Sequence, residues 1–246
     1  MRYSDPPGRE KLAGEAHSLA SRGRNRANEK MFLGHYSVAF AARTERNKIP
    51  LWVLFVAVQL LDLLWAPFAF LGLEKVRIVF GITATSPLDL YYMPYTHSLI
   101  GALVWSTLAA FVYKLMRGAK ASSSAALIVA LAVFSHWILD LIVHRPDLAI
   151  YDDTLKVGFG LLNYKGAEFA MEIALLVIGI ALYLKRNVIK SACRKIGIVV
   201  FGVVLIQVQT QTTFGGRPLS SNRIVAITTL FAAIAFVLEK QRRTHF

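Results

Sequence analysis

Residues Ser124–Val143 read SAALIVALAVFSHWILDLIV. At about 1.5 Å rise per residue this run is about 30 Å long, the thickness of a bilayer's hydrocarbon core. Apolar residues occupy every face, as in a membrane-spanning helix. Its only ionisable residues are His136 and Asp140. Four residues apart, they share one helix face. A charge in hydrocarbon costs several kcal/mol, so the same stretch decides the fold class and shows where to look for function.

Similar runs lie on both sides. Leu51–Leu73, Tyr95–Tyr113 and Gly166–Leu184 are clear spans, Ile196–Val208 is a shorter fifth, and Ile224–Leu238 is a sixth. Residues 31–43 are too short to cross and read as a half-helix or an interfacial helix. The chain is 55% hydrophobic and only 17% charged, which fits a polytopic membrane protein better than a soluble domain. The expected fold is therefore all-α, a transmembrane bundle of about six spans plus the short N-terminal helix. Residues 31–185 form the bundle that carries the polar site, and 186–246 form a C-terminal transmembrane hairpin with a basic tail. Residues 1–30 lack apolar periodicity and a signal-peptide core, and read as a disordered, dispensable cytoplasmic tail. Met31 is a candidate native start. Cys193 is the only cysteine, which excludes an intrachain disulfide and a thiolate zinc cluster.

The net charge is +13, but the basic residues fall at the ends of apolar segments. That pattern points to lipid headgroups and membrane orientation and away from nucleic acid. One alternate set of connections holds Arg43, Arg46, Lys48, Lys114, Arg117, Lys120, Lys185, Arg186, Lys190, Arg194, Lys195, Lys240, Arg242 and Arg243, fourteen in all. The other holds seven: Lys75, Arg77, Arg145, Lys156, Lys165, Arg217 and Arg223. The richer set is expected on the cytoplasmic side of the plasma membrane, together with the C-terminus. Connections 74–94 and 144–165 then face outward.

The apolar segments contain His35, Asp62, His97, His136, Asp140, His144, Glu168 and Glu172, all metal-ligand or acid/base types. The densest part is H-x3-D-x3-H at His136, Asp140 and His144, a single stripe about 12 Å long on a continuous helix. One ion does not reach all three. His97 starts the second span, Asp62 lies at mid-depth in the first, and Glu168 and Glu172 open the fourth, so these residues can converge on one cavity. Imidazole and carboxylate ligands suit Zn²⁺, Mn²⁺ or Fe²⁺. An intramembrane His or Asp also serves as a hydrogen-bonding residue between helices, and His144 fits a solvated rim equally well.

At these residues the chain resembles the membrane-bound metal-dependent hydrolases of bacterial inner membranes, over about residues 31–185. Gly34–His35–Tyr36 matches the family's early His. Leu60–Leu61–Asp62–Leu63–Leu64 stands at its L-P-D-x-D element, Thr96–His97–Ser98 at T-H-S, and His136 to Asp140 at H-x3-D. Leu61 replaces the Pro and Leu64 the second Asp, and Met93–Pro94–Tyr95 stands where a basic H-R usually precedes T-H-S. The H-x3-D helix is also similar, in ligand types only, to soluble zinc phospholipases C. The resemblance implies a hydrolase whose divalent transition metal, zinc first, is held by Asp62, His97, His136 and Asp140, with His35 as a further ligand. His144 or Glu168 would be the general base, acting on water whose pKa the metal lowers, or a further ligand. The implied substrate is a lipid or another amphiphile. There is no G-x-S-x-G and no H-E-x-x-H to choose the bond. Rival readings of the same polar line are a proton or cation path in a transporter and a non-enzymatic subunit of a larger membrane assembly.

Overall fold

A computed structural model describes residues 33–118 and 122–214. The N-terminal tail, Met31, the sixth apolar segment Ile224–Leu238 and the basic C-terminal tail lie outside the described residues. The described chain is mostly helical: α1 (Leu33–Ala42), α2 (Leu51–Val58), α3 (Leu60–Phe70), α4 (Leu99–Arg117), α5 (Ser123–Val143), α6 (Lys165–Arg186) and α7 (Ala192–Phe214). One antiparallel hairpin, β1 (Lys75–Ile78) with β2 (Leu88–Tyr92), and a 3-10 turn at Leu161–Asn163 occupy the connections at one end of the bundle. Four helices, α4 to α7, are long and apolar enough to cross a membrane, and α2 with α3 makes a fifth if the bent pair counts as one span.

Three boundaries differ from the sequence expectation. The first span, expected as one helix, breaks at Gln59 and bends by 48°. The second starts at Leu99 and not at Tyr95, because the Ser98 hydroxyl caps the helix by accepting the Gly101 N–H at 2.9 Å. The fifth, expected to be short, runs the full length of Ala192–Phe214. Its polar C-terminal half is helical too, and several of its polar groups have partners there. The Thr210 hydroxyl donates to Ile206 O at 2.8 Å, and Gln209 Nε2 donates to Glu168 Oε1 at 3.1 Å.

The short α1 is the centre of the packing. It lies against α2, α5, α6 and α7, with its N-terminus buried inside the bundle. Of the two sequence alternatives, the buried half-helix is the one observed. At ten residues it covers about 15 Å, half a bilayer. A helix that ends inside a bundle leaves backbone groups to be satisfied, and α6 supplies partners at both ends. Leu33 N donates to Glu172 Oε2 at 3.2 Å, and Arg186 Nη1 donates to Ala41 O at 3.2 Å. Just beyond α1, Asn187 Nδ2 donates to Arg43 O at 3.0 Å. Toward this end Phe40, Phe55 and Phe201 pack with ring centroids 5.3–5.9 Å apart, in the range of favourable aromatic pairs.

The parallel run of α1 along α6 depends on Gly179. A Cβ there would lie 2.5 Å from Ser37 O and 2.7 Å from Ser37 Cα, which are backbone atoms that cannot turn aside. At Gly202 the nearest obstacle is the mobile tip of Ile180, at 2.6 Å. Gly179→Ala is therefore expected to lower stability by about 1–3 kcal/mol through overpacking, and Gly202→Ala by less. Thermal unfolding of the two purified variants in detergent, compared side by side, checks this order.

Candidate metal centre

Four elements each bring a ligand-type side chain to one point. His35 comes from the first turn of α1, and Asp62 from the first turn of α3. His97 sits in the turn before α4, and His136 and Asp140 lie one turn apart on α5. His136 Nε2 lies 3.2 Å from Asp140 Oδ2 and 3.5 Å from Asp62 Oδ1. His97 Nε2 lies 3.6 Å from Asp140 Oδ2 and 3.3 Å from Asp62 Oδ1. Two nitrogens and two oxygens thus alternate around a ring whose sides are all between 3.2 and 3.6 Å.

Charge-assisted N–H···O bonds are about 2.7–2.9 Å, shorter than any side of the ring. Two ligands about 2.0–2.1 Å from one ion are about 3.3–3.4 Å apart at the tetrahedral angle, close to the length of each side. The tautomer of His136 points the same way. Its Nδ1 is 2.7 Å from Val58 O, and a carbonyl only accepts, so Nδ1 carries the hydrogen. In the neutral ring, Nε2 therefore presents a lone pair to two carboxylates, an arrangement that either a second ring proton or a bound cation would relieve. The break at Gln59 sets this up, since Val58 ends α2 and a terminal carbonyl is free to take a side-chain donor.

His35 stands behind the ring. Its Nε2 is 3.5 Å from Asp140 Oδ1, the oxygen turned away from His97, and its ring meets that of His136 edge-on at 3.9 Å between centroids. Among the described residues neither ring nitrogen of His35 has a hydrogen-bond partner, although the residue is buried. His35, His136 and Asp140 form one group able to hold an ion, and Asp62, His97 and His136 form another. Trp137 Nε1 donates to His97 O at 3.1 Å and ties the T-H-S turn to α5. No family model, curated protein or solved structure matches the chain.

All five residues expected to hold the metal meet here. Of the two expected catalytic residues, His144 caps α5, with its N–H still bonded to Asp140 O at 2.8 Å. Its Nδ1 donates to Asp147 Oδ1 at 3.0 Å, within a network where Arg145 bonds both Asp147 and the buried Asp89, and Arg77 also bonds Asp89. Glu168 and Glu172 face the seam between α1, α6 and α7. One participant escaped the sequence reading. The Val58 carbonyl is backbone, and the only hint of it was a lone Gln59 in an apolar run.

Burial by itself would lower the pKa of His144. The Asp147 hydrogen bond and the nearby Asp140 and Asp147 charges outweigh it and hold the group above its ordinary value. The protonated ring then stabilises the fold fully below the unfolded value of about 6.5, and this contribution is lost as pH rises through the folded value. In metal-free protein, the stability advantage of wild type over His144→Gln is expected to be greatest in mild acid and to shrink toward alkaline pH. Paired melting curves across that range measure it.

Proposed function

We propose that the protein is a membrane-embedded, metal-dependent hydrolase acting on a lipid or another amphiphile, as its T-H-S and H-x3-D elements imply. The observation that supports this is the ring of two imidazole nitrogens and two carboxylate oxygens, with the dimensions of a coordination shell. The donor set suits zinc, since imidazole nitrogens and carboxylate oxygens are both among its usual ligands. Such an ion supplies Lewis-acid polarisation of a carbonyl or phosphoryl oxygen and makes bound water more acidic.

The ring has one open edge. The Asp62 side chain is 42% exposed, while those of His97, His136 and Asp140 are nearly closed off. α3 buries only Leu61, and Leu63 beside Asp62 faces outward. A substrate thus meets the centre along α3, on a wall where acyl chains are soluble. His136 and His97 aim their nitrogens, Asp140 balances charge from within, and Asp62 is the carboxylate an arriving substrate meets first.

Protein purified without chelator is expected to carry about one transition-metal ion per chain, and His136→Ala and Asp140→Asn to lose it. Hydrolysis of chromogenic esters and phosphodiesters in mixed micelles should disappear in the same variants. A metal-free wild type that takes up no zinc, or undiminished hydrolysis by Asp140→Asn, would overturn the proposal. The 48° break beside the cluster also fits a cation path, since transporters bind ions at broken helices. Zinc or proton flux into proteoliposomes that His136→Ala abolishes, without hydrolysis, favours that second reading.

The Lys and Arg asymmetry supports an exterior position for the hairpin end. Tyr151 is exposed at that end, and the exposed Cys193 lies near the start of α7 at the other. An impermeant maleimide added to intact cells should label Tyr151→Cys in a Cys193→Ser background and leave native Cys193 untouched. The reverse pattern would refute this orientation.

A further inference from the structure

The hairpin register carries a carboxylate from the end of α3 to the turn before α4. With Lys75 paired opposite Tyr92, the preceding Glu74 comes beside Tyr95 and Thr96. Glu74 is 1% exposed, and its carboxylate accepts three hydrogen bonds. Oε1 takes Tyr95 N at 2.9 Å and Thr96 N at 2.8 Å, and Oε2 takes the Thr96 hydroxyl at 2.7 Å. The same Thr96 Oγ1 lies 2.7 Å from His97 Nδ1. A hydroxyl has one proton. Once that proton is committed to Glu74, Oγ1 offers His97 only a lone pair, and Nδ1 must carry the hydrogen. His97 Nε2 is then an unprotonated lone pair facing Asp62 Oδ1 and Asp140 Oδ2.

We infer that Glu74 is a positioning residue that fixes the tautomer of His97 through Thr96, and so makes His97 Nε2 a metal ligand. The inference rests on the metal-centre reading above. It assigns Glu74 a role distinct from anchoring the hairpin. His136 reaches the same state through a backbone carbonyl that no side-chain change can reverse, whereas the state of His97 depends on one carboxylate. Outer partners of this kind orient the ring and raise its basicity, and losing one costs about ten- to hundredfold in metal affinity.

Glu74→Gln isolates the effect. The position now held by Oε1 faces two backbone N–H donors, so the amide oxygen must occupy it. The amide nitrogen then faces Thr96 and donates to it. The hydroxyl turns its proton toward His97 Nδ1, and the hydrogen of His97 moves to Nε2, where it blocks ligation. The anchoring bonds to Tyr95 N and Thr96 N are kept.

The experiment uses full-length protein labelled with ¹⁵N-histidine, read metal-free by NMR, with zinc affinity measured by chelator competition. Wild type is expected to show the Nδ1–H tautomer at His97, assigned by its loss in His97→Gln. Glu74→Gln is expected to show Nε2–H there, an unchanged His136, and zinc binding about ten- to hundredfold weaker. If Glu74→Gln does not fold, Thr96→Val and Thr96→Ser decide. The valine variant should weaken zinc binding, and the serine variant, which keeps the hydroxyl, should restore it. An Nε2–H tautomer in wild type overturns the inference, as does a folded Glu74→Gln with unchanged tautomer and affinity, or a Thr96→Val that binds as wild type. A wild type that binds no zinc defeats the hydrolase reading instead, and the His97 tautomer still tests the role of Glu74.

Discussion

Asp62 and Asp140 hold their carboxylates against the same two imidazoles in a largely apolar bundle, and the surrounding structure is organised by that concentration of negative charge. An isolated ionised carboxylate is costly to bury, so it needs either a counter-charge or a full set of donors. On the tautomers proposed above, Val58 O takes the Nδ1 hydrogen of His136 and Thr96 takes that of His97, and the nitrogens facing the carboxylates are lone pairs. Polar groups that would quench one another by hydrogen bonding would then leave room for a cation.

The geometry that serves this gap is distributed among elements with little else in common. A helix break supplies one carbonyl, a hairpin supplies Glu74, a capped turn supplies His97, and a straight helix supplies His136 and Asp140. None of the four is unusual alone. Their joint effect is to set the direction of each ring nitrogen before any ion arrives, which lowers the reorganisation needed for binding.

Much of this was readable in the chain, for a physical reason. Hydrocarbon penalises ionisable groups, so His35, Asp62, His97, His136 and Asp140 stood out against their apolar surroundings, and the five do come together. The long helices were legible by the same contrast. Where polar groups satisfy one another locally, the contrast misleads. The Gln- and Thr-rich end of α7 looked like the end of a span, yet Thr210 and Gln209 have partners there and the helix continues. The break at Gln59 carries no Pro or Gly to announce it, because its stabilising partner, His136, lies on a distant helix. Glu74 was invisible because hairpin register is a tertiary fact.

The burial of α1 has a consequence for the order in which the molecule is assembled. Over the described residues it covers about 15 Å, and it is packed among helices that come later in the chain. Its first amide is held by Glu172, and its middle is seated on Gly179, both on α6. Translation delivers α6 after every other helix that contributes to the cluster. His35, near the start of the described chain, therefore waits for a partner made more than a hundred residues later. Until then Asp140 lacks its neighbour on the Oδ1 side. Closure of the cluster is a late event of biogenesis, reached only by chains whose α6 has been correctly inserted.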